Sequence, residues 1–135
     1  MRTVFADTFY FLAILSDRDQ HHERAVDFTR SIRGRMITTT WVLTELGNQL
    51  RRGRDRERFL SFLAKLKSNP NVSIIPTDDA LFDSGVEFFR MRPDKEWSLT
   101  DCISFVVMER TGITEALTGD FHFEQAGYHA LLKQS

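Results

Sequence analysis

Apolar residues along the chain fall into two kinds of run that alternate: short continuous blocks, and longer stretches with a helical repeat. The first block, Thr3-Val4-Phe5-Ala6, reads as a strand buried on both faces, with Asp7 at its carboxyl end. Residues 8–15 then read as a helix packing back on that strand, and 16–20 (SDRDQ) as a polar turn. Ala25, Val26, Phe28 and Ile32 recur at helical spacing over 22–32, a second amphipathic helix that Gly34 is expected to end. Met36 to Thr39 has the β-branched character of a short strand. From Trp41 onward Val42, Leu43, Leu46 and Leu50 form a helical stripe, with Glu45 lying off it.

The run RRGRDRER over 51–58 breaks at Gly53 and restarts as a helix through Phe59, Leu60, Phe62, Leu63 and Leu66, giving a helical hairpin with a basic tip. Residues 69–71 make a turn and 72–75 a strand, and Asp78 and Asp79 open a helix whose expected core side is Ala80, Leu81, Val86, Phe88 and Phe89. The stretch SLTDCISFVVMERTG is apolar on nearly all sides, the mark of a central helix. Residues 115–118 read as a last inner strand, Gly119-Asp120 as the turn after it, and 128–132 as an edge strand. Strands alternating with helices over one domain predict an α/β fold: a central, mostly parallel sheet of about five strands with helices on both faces.

Composition narrows the classes. A chain of 135 residues, 41% hydrophobic and 27% charged, is the size of one globular domain. One cysteine, Cys102, excludes an internal disulfide and a cysteine-rich zinc module and fits a reducing compartment. Asp7 interrupts the N-terminal apolar run and no small-residue cleavage site follows, so no signal peptide is read and a cytoplasmic protein is expected. A net charge of −1 supplies no general field for nucleic acid, so any such contact must use a local patch.

The candidate chemistry lies at one edge. In a parallel sheet Asp7 and Asp120 both follow strands and share that edge, Glu45 is in the second turn of a helix that leaves it, and Asp101 is in the first turn of the central helix. Crowded carboxylates stay ionised only with a cation among them, and oxygen ligands suit Mg²⁺ or Mn²⁺. Such an ion lowers the pKa of water and stabilises charge on a phosphoryl oxygen, which points to hydrolysis of phosphodiesters. No covalent nucleophile competes, since Cys102 sits inside an apolar helix.

The segments ADTFYFLA, TTTWVLTELGN, SLTDCISFVVMERTGI and EALTGDFHFEQAG, in this order and spacing, resemble those of PIN-domain ribonucleases, most of all the single-domain VapC-type toxins of toxin–antitoxin pairs. The resemblance implies one PIN domain over 1–135 and a Mg²⁺- or Mn²⁺-dependent endoribonuclease. It implies that Asp7, Asp101 and Asp120 surround the metal, that Glu45 completes the pocket and that Thr118 supports it. It also implies an RNA substrate, a cognate antitoxin and a homodimer.

Each acid has a plainer reading. Ser98 and Asp101 have the spacing of a capping box, Asp7 and Asp120 suit a cap or a turn, and Glu45 suits a solvated face. Together, however, these require four unrelated reasons to converge on one edge. Arg51, Arg52, Arg54 and Arg56 either hold RNA phosphates or form a solvated tip that Asp55 and Glu57 partly neutralise. His122 follows Asp120 closely enough to touch a phosphate, although a lone loop histidine is ordinarily incidental; Phe121 and Phe123 have the chemistry to stack on a base, and Phe123 is expected to plug the core. Alternatives are a housekeeping PIN nuclease, a receiver-like phosphoacceptor domain and a catalytically silent scaffold. The receiver lacks its paired acids after the first strand, since Asp7 has no acidic neighbour.

Overall fold

The computed structural model describes residues 2–133, so the domain expected over 1–135 runs past the described residues at both ends. The elements in chain order are β1 (Arg2–Ala6), α1 (Thr8–Leu15), α2 (His22–Ser31), β2 (Gly34–Thr39), α3 (Thr40–Gln49) and α4 (Gly53–Ser68). They continue with β3 (Val72–Ile75), α5 (Asp79–Met91), α6 (Leu99–Thr111), β4 (Glu115–Leu117), α7 (Phe121–Gln125) and β5 (His129–Ala130). All five strands pair in parallel, in the order β3-β2-β1-β4-β5. A receiver-type sheet has the order 2-1-3-4-5. The phosphoacceptor alternative therefore fails on topology.

Val4, Phe5 and Ala6 are all fully buried. Successive side chains of a strand point to opposite faces, so helices must cover both sides of β1. Helix α1 packs on α2 and α3, and α5 packs on α6. Residues Asp101 to Met108 of α6 are buried without a gap, as its all-round apolar sequence requires. Phe105 from this helix meets Trp97, Phe123 and Tyr128 with ring centroids 5.1, 4.9 and 5.8 Å apart, and Phe123 reaches Phe5 on β1 at 6.5 Å. This aromatic cluster joins β1, α6 and α7.

Four local expectations need correction. Gly34 does not end α2, which stops at Ser31; it opens β2, where a side chain would collide with the carbonyl of Arg2 on the neighbouring strand. On α5, Ala80 and Phe89 face outward, because the stripe that meets α6 runs through Leu81, Gly85 and Phe88. The edge strand shrinks from 128–132 to His129–Ala130. The turn at Gly119-Asp120 leads at once into α7, a helix of five residues too short to show a helical repeat in the sequence.

Candidate active site

β1 lies between β2 and β4, and the order of strands reverses direction between β1 and β4. At such a point the connections leave in opposite directions and open a crevice beyond the strand ends. Asp7 stands there, its backbone N–H donating to Leu117 O at 3.3 Å and so extending the pairing of Ala6 with Leu117. Thr118, Gly119 and Asp120 continue from β4 on the other side. At Gly119 the chain passes so close to the ring of Phe9 on α1 that a side chain there would displace the ring. Glu45 enters from α3, and Asp101 from the start of α6. The result is an open cleft of about 350 Å³ whose lining includes Asp7, Glu45, Glu96, Asp101, Asp120 and His122.

All four acids read from the sequence therefore line one cleft, and their structural roles coexist with that position. Asp101 completes the capping box: Ser98 Oγ accepts from Asp101 N at 3.0 Å, and Asp101 Oδ2 accepts from Ser98 N at 3.2 Å. Asp120 caps α7, with Oδ1 accepting from His122 N at 2.9 Å. Asp7 makes no cap bond to α1; its Oδ2 accepts from the buried hydroxyl of Thr118 at 3.0 Å. Thr118 Oγ1 in turn accepts from Asp120 N at 3.1 Å, so one hydroxyl ties two of the acids together.

The electrostatics are those of a cation site. Burial and the nearby Asp101 push the Asp7 carboxyl up to about 7, against the lowering effect of the Thr118 bond. Burial raises Asp101 as well, opposed by the Ser98 N–H. Beside Asp7, the hydroxyl of Thr8 is buried without a hydrogen-bond partner. Raised carboxyls, an all-oxygen-and-nitrogen donor set and an orphaned hydroxyl fit a divalent ion with bound water.

The tightest group in the cleft is not the one expected. Ligand atoms of Asp101, Asp120 and His122 all lie within 4.8 Å of one another, whereas Asp7 lies outside this triple. His122 occupies what the sequence presents as a loop, where a lone histidine is ordinarily incidental; α7 brings its ring to Asp101 and Asp120. Glu96, also missed, comes from the irregular stretch before α6, where no periodicity marks direction. The Asp120-x-His122 spacing, with a capping acid placing the side chain two residues on, was the available signal.

The arginines stand elsewhere. Arg51, Arg52, Arg54 and Arg56 are exposed and none lines the acid cleft. Arg51 donates to Asn48 O at 2.7 Å and Arg56 to Arg51 O at 2.8 Å, holding the turn between α3 and α4. Arg54 lines a separate groove with Arg58 and Lys65. Phe123 is fully buried in the aromatic cluster, as expected, while Phe121 is exposed.

Residues 4–127 match the PIN domain family. The chain belongs to that family. Over 126 residues it is 28% identical to the 23S rRNA-specific endonuclease VapC20 of two Mycobacterium tuberculosis strains, covering 93% of this chain and 95% of the relative. The crystal structure of M. tuberculosis VapC20, described as a sarcin–ricin loop cleaving toxin, superposes with a TM-score of 0.84 at 25% identity over 93% of this chain and 95% of that one. FitAcB from Neisseria gonorrhoeae shares the fold, with a TM-score of 0.66 at 16% identity over 94% of this chain and 95% of that one. PIN nucleases generally use a divalent metal, and the cleft has a residue group able to hold one. Among the described residues no helix is long and apolar enough to cross a membrane.

Proposed function

We propose that this protein is an endoribonuclease toxin that hydrolyses RNA phosphodiester bonds with Mg²⁺ or Mn²⁺ and acts in the cytoplasm. The observation that carries this reading is the meeting of Asp7, Glu45, Asp101 and Asp120, from four separate elements, in the cleft where β1 and β4 diverge. Likeness to VapC20 over nearly the whole chain supports the toxin class.

When bound, a divalent ion supplies an acidified water and charge stabilisation at the scissile phosphoryl group. In this reading Asp7, Asp101 and Asp120 surround that ion. Thr118 fixes the Asp7 carboxylate and, through the Asp120 N–H, the approach of the last acid. Glu45 completes the pocket from α3 and accepts a proton from the attacking water. Arg51, Arg52, Arg54 and Arg56 hold phosphates of the RNA beyond the cleft, where their charge steers the strand without reading its sequence.

The natural partner is an antitoxin that covers the cleft, and the working unit is a homodimer. Phe82 and Phe89, seven residues apart and so on one side of α5, leave apolar surface exposed there, which supports association of this kind.

The test is cleavage by purified protein, with 23S rRNA as the first substrate because that is the substrate class in VapC20's name. Cleavage with Mg²⁺ or Mn²⁺ that disappears with chelator and in Asp101→Asn supports the proposal, and mapping the new 5′ ends locates the site. Metal-loaded protein that leaves every cellular RNA class intact overturns it.

A further inference from the structure

We propose that His122 is a direct metal ligand, so that the centre is a mixed nitrogen–oxygen site preferring Mn²⁺, and softer first-row ions more strongly still, over Mg²⁺. This rests on the metal-dependent reading above and adds a ligand that an all-acid centre lacks.

The spacing is already that of a ligand set. His122 Nδ1 lies 3.3 Å from Asp101 Oδ2 and 3.5 Å from Asp120 Oδ1. Ligand atoms each about 2.0–2.2 Å from one ion stand about 3.3–3.6 Å apart in a tetrahedral arrangement. An octahedral Mg²⁺ with bonds of about 2.0–2.1 Å brings neighbouring ligands to about 2.8–3.0 Å. The two separations from His122 match the first, the geometry of zinc-type ions, and would have to contract for a six-coordinate ion, Mg²⁺ with its shorter bonds more than Mn²⁺; all three ligand atoms lie within 4.8 Å of one another.

The ring is also held in place. Phe123, the next residue, is buried against Phe105 and Phe5. Gln125 Oε1 accepts from Trp97 Nε1 at 3.0 Å, which ties the far end of α7 to the residue preceding the Ser98 cap of α6. Asp120 caps the near end through the backbone N–H of His122 itself. The helix that carries the imidazole is therefore anchored to the same elements as Asp101 and Asp120.

Imidazole suits zinc, nickel, copper and iron, while Mg²⁺ takes oxygen ligands and keeps its waters. Coordination through Nδ1 requires the neutral ring with its proton on Nε2, and it replaces the contact between Nδ1 and Asp101 Oδ2. The rival role for His122 is that of a charge-neutralising placeholder between two acids. The two roles predict opposite responses to its removal.

The experiment uses tag-free, full-length protein and measures dissociation constants for Mg²⁺, Mn²⁺, Co²⁺ and Zn²⁺ by calorimetry, on the wild type, His122→Ala, His122→Asn and Asp101→Asn. Pulsed electron paramagnetic resonance of the Mn²⁺-bound forms reads nitrogen coupling directly, and melting curves confirm folding. Expected are ¹⁴N coupling in the wild type that is lost in both His122 variants, and a weakening of Mn²⁺, Co²⁺ and Zn²⁺ binding of about tenfold or more in both. Mg²⁺ is expected to change far less. Equal losses for all four ions, tighter binding of all four, or wild-type Mn²⁺ without nitrogen coupling would overturn the proposal while leaving the metal reading intact. Failure of the wild type to bind any ion removes the metal reading itself, and this proposal with it.

Discussion

The hydroxyl of Thr118 donates to the Asp7 carboxylate at 3.0 Å across a separation of 111 residues, and both groups are buried. Thr118→Val keeps the volume and removes the donor, leaving a buried carboxylate and the Asp120 N–H without their partner. Such loss costs about 1–3 kcal/mol. We expect that fall in urea-denaturation stability and a drop in RNA cleavage of at least tenfold, with Thr118→Ser restoring most of both. Unchanged cleavage in the valine variant would show that the bond has no part in the site.

Asp7 contributes to the pH response of the metal-free protein, in the same direction as Asp101. Its folded-state value of about 7 lies above the ordinary 3.8, so the folded state holds the proton more tightly. The favourable contribution is complete below about pH 4 and is lost as pH rises through 7, a change of about 4 kcal/mol for a shift of this size. Without metal, the wild type should therefore melt at a lower temperature at pH 8 than at pH 5. Asp7→Asn should reduce this difference, abolish cleavage and leave the fold intact. Marked unfolding of Asp7→Asn would assign Asp7 to the structure instead.

Ser98→Ala separates capping from chemistry at Asp101. It deletes the acceptor for the Asp101 N–H and should cost about 1 kcal/mol, read as a lower melting temperature. The Asp101 side chain remains, so cleavage should fall only slightly. A loss of cleavage as large as that of Asp101→Asn would mean that the cap, rather than the carboxylate, is what the site requires.

The basic turn is tested through salt. Arg51 and Arg56 also hold backbone carbonyls, so Arg52 and Arg54 are the cleaner pair to neutralise. Replacing both by Gln should weaken RNA binding uniformly across sequences and reduce the slope of log affinity against log salt by about 1.4, two phosphate contacts' worth for a single strand. An unchanged slope would leave these residues as a solvated tip.

Helix and strand order, the central place of α6 and the four acids were legible in the chain because each rests on local chemistry: a block of β-branched and aromatic residues, an all-round apolar helix, a carboxylate where such a run stops. The parallel edge then followed from connectivity, since alternating strands and helices bring strand ends together. What escaped was direction over short distances. α7 is five residues long, too short for periodicity to register, and it is stabilised by Phe123 entering a cluster built from α6 and β1. Glu96 lies in irregular chain, and Ala80 and Phe89 differ from their helical neighbours only in which side meets α6. The sequence by itself determined that four acids would share an edge. Only the tertiary structure decided that His122 joins Asp101 and Asp120 while Asp7 sits just outside that group, because side-chain direction on a short element is set by the packing around it.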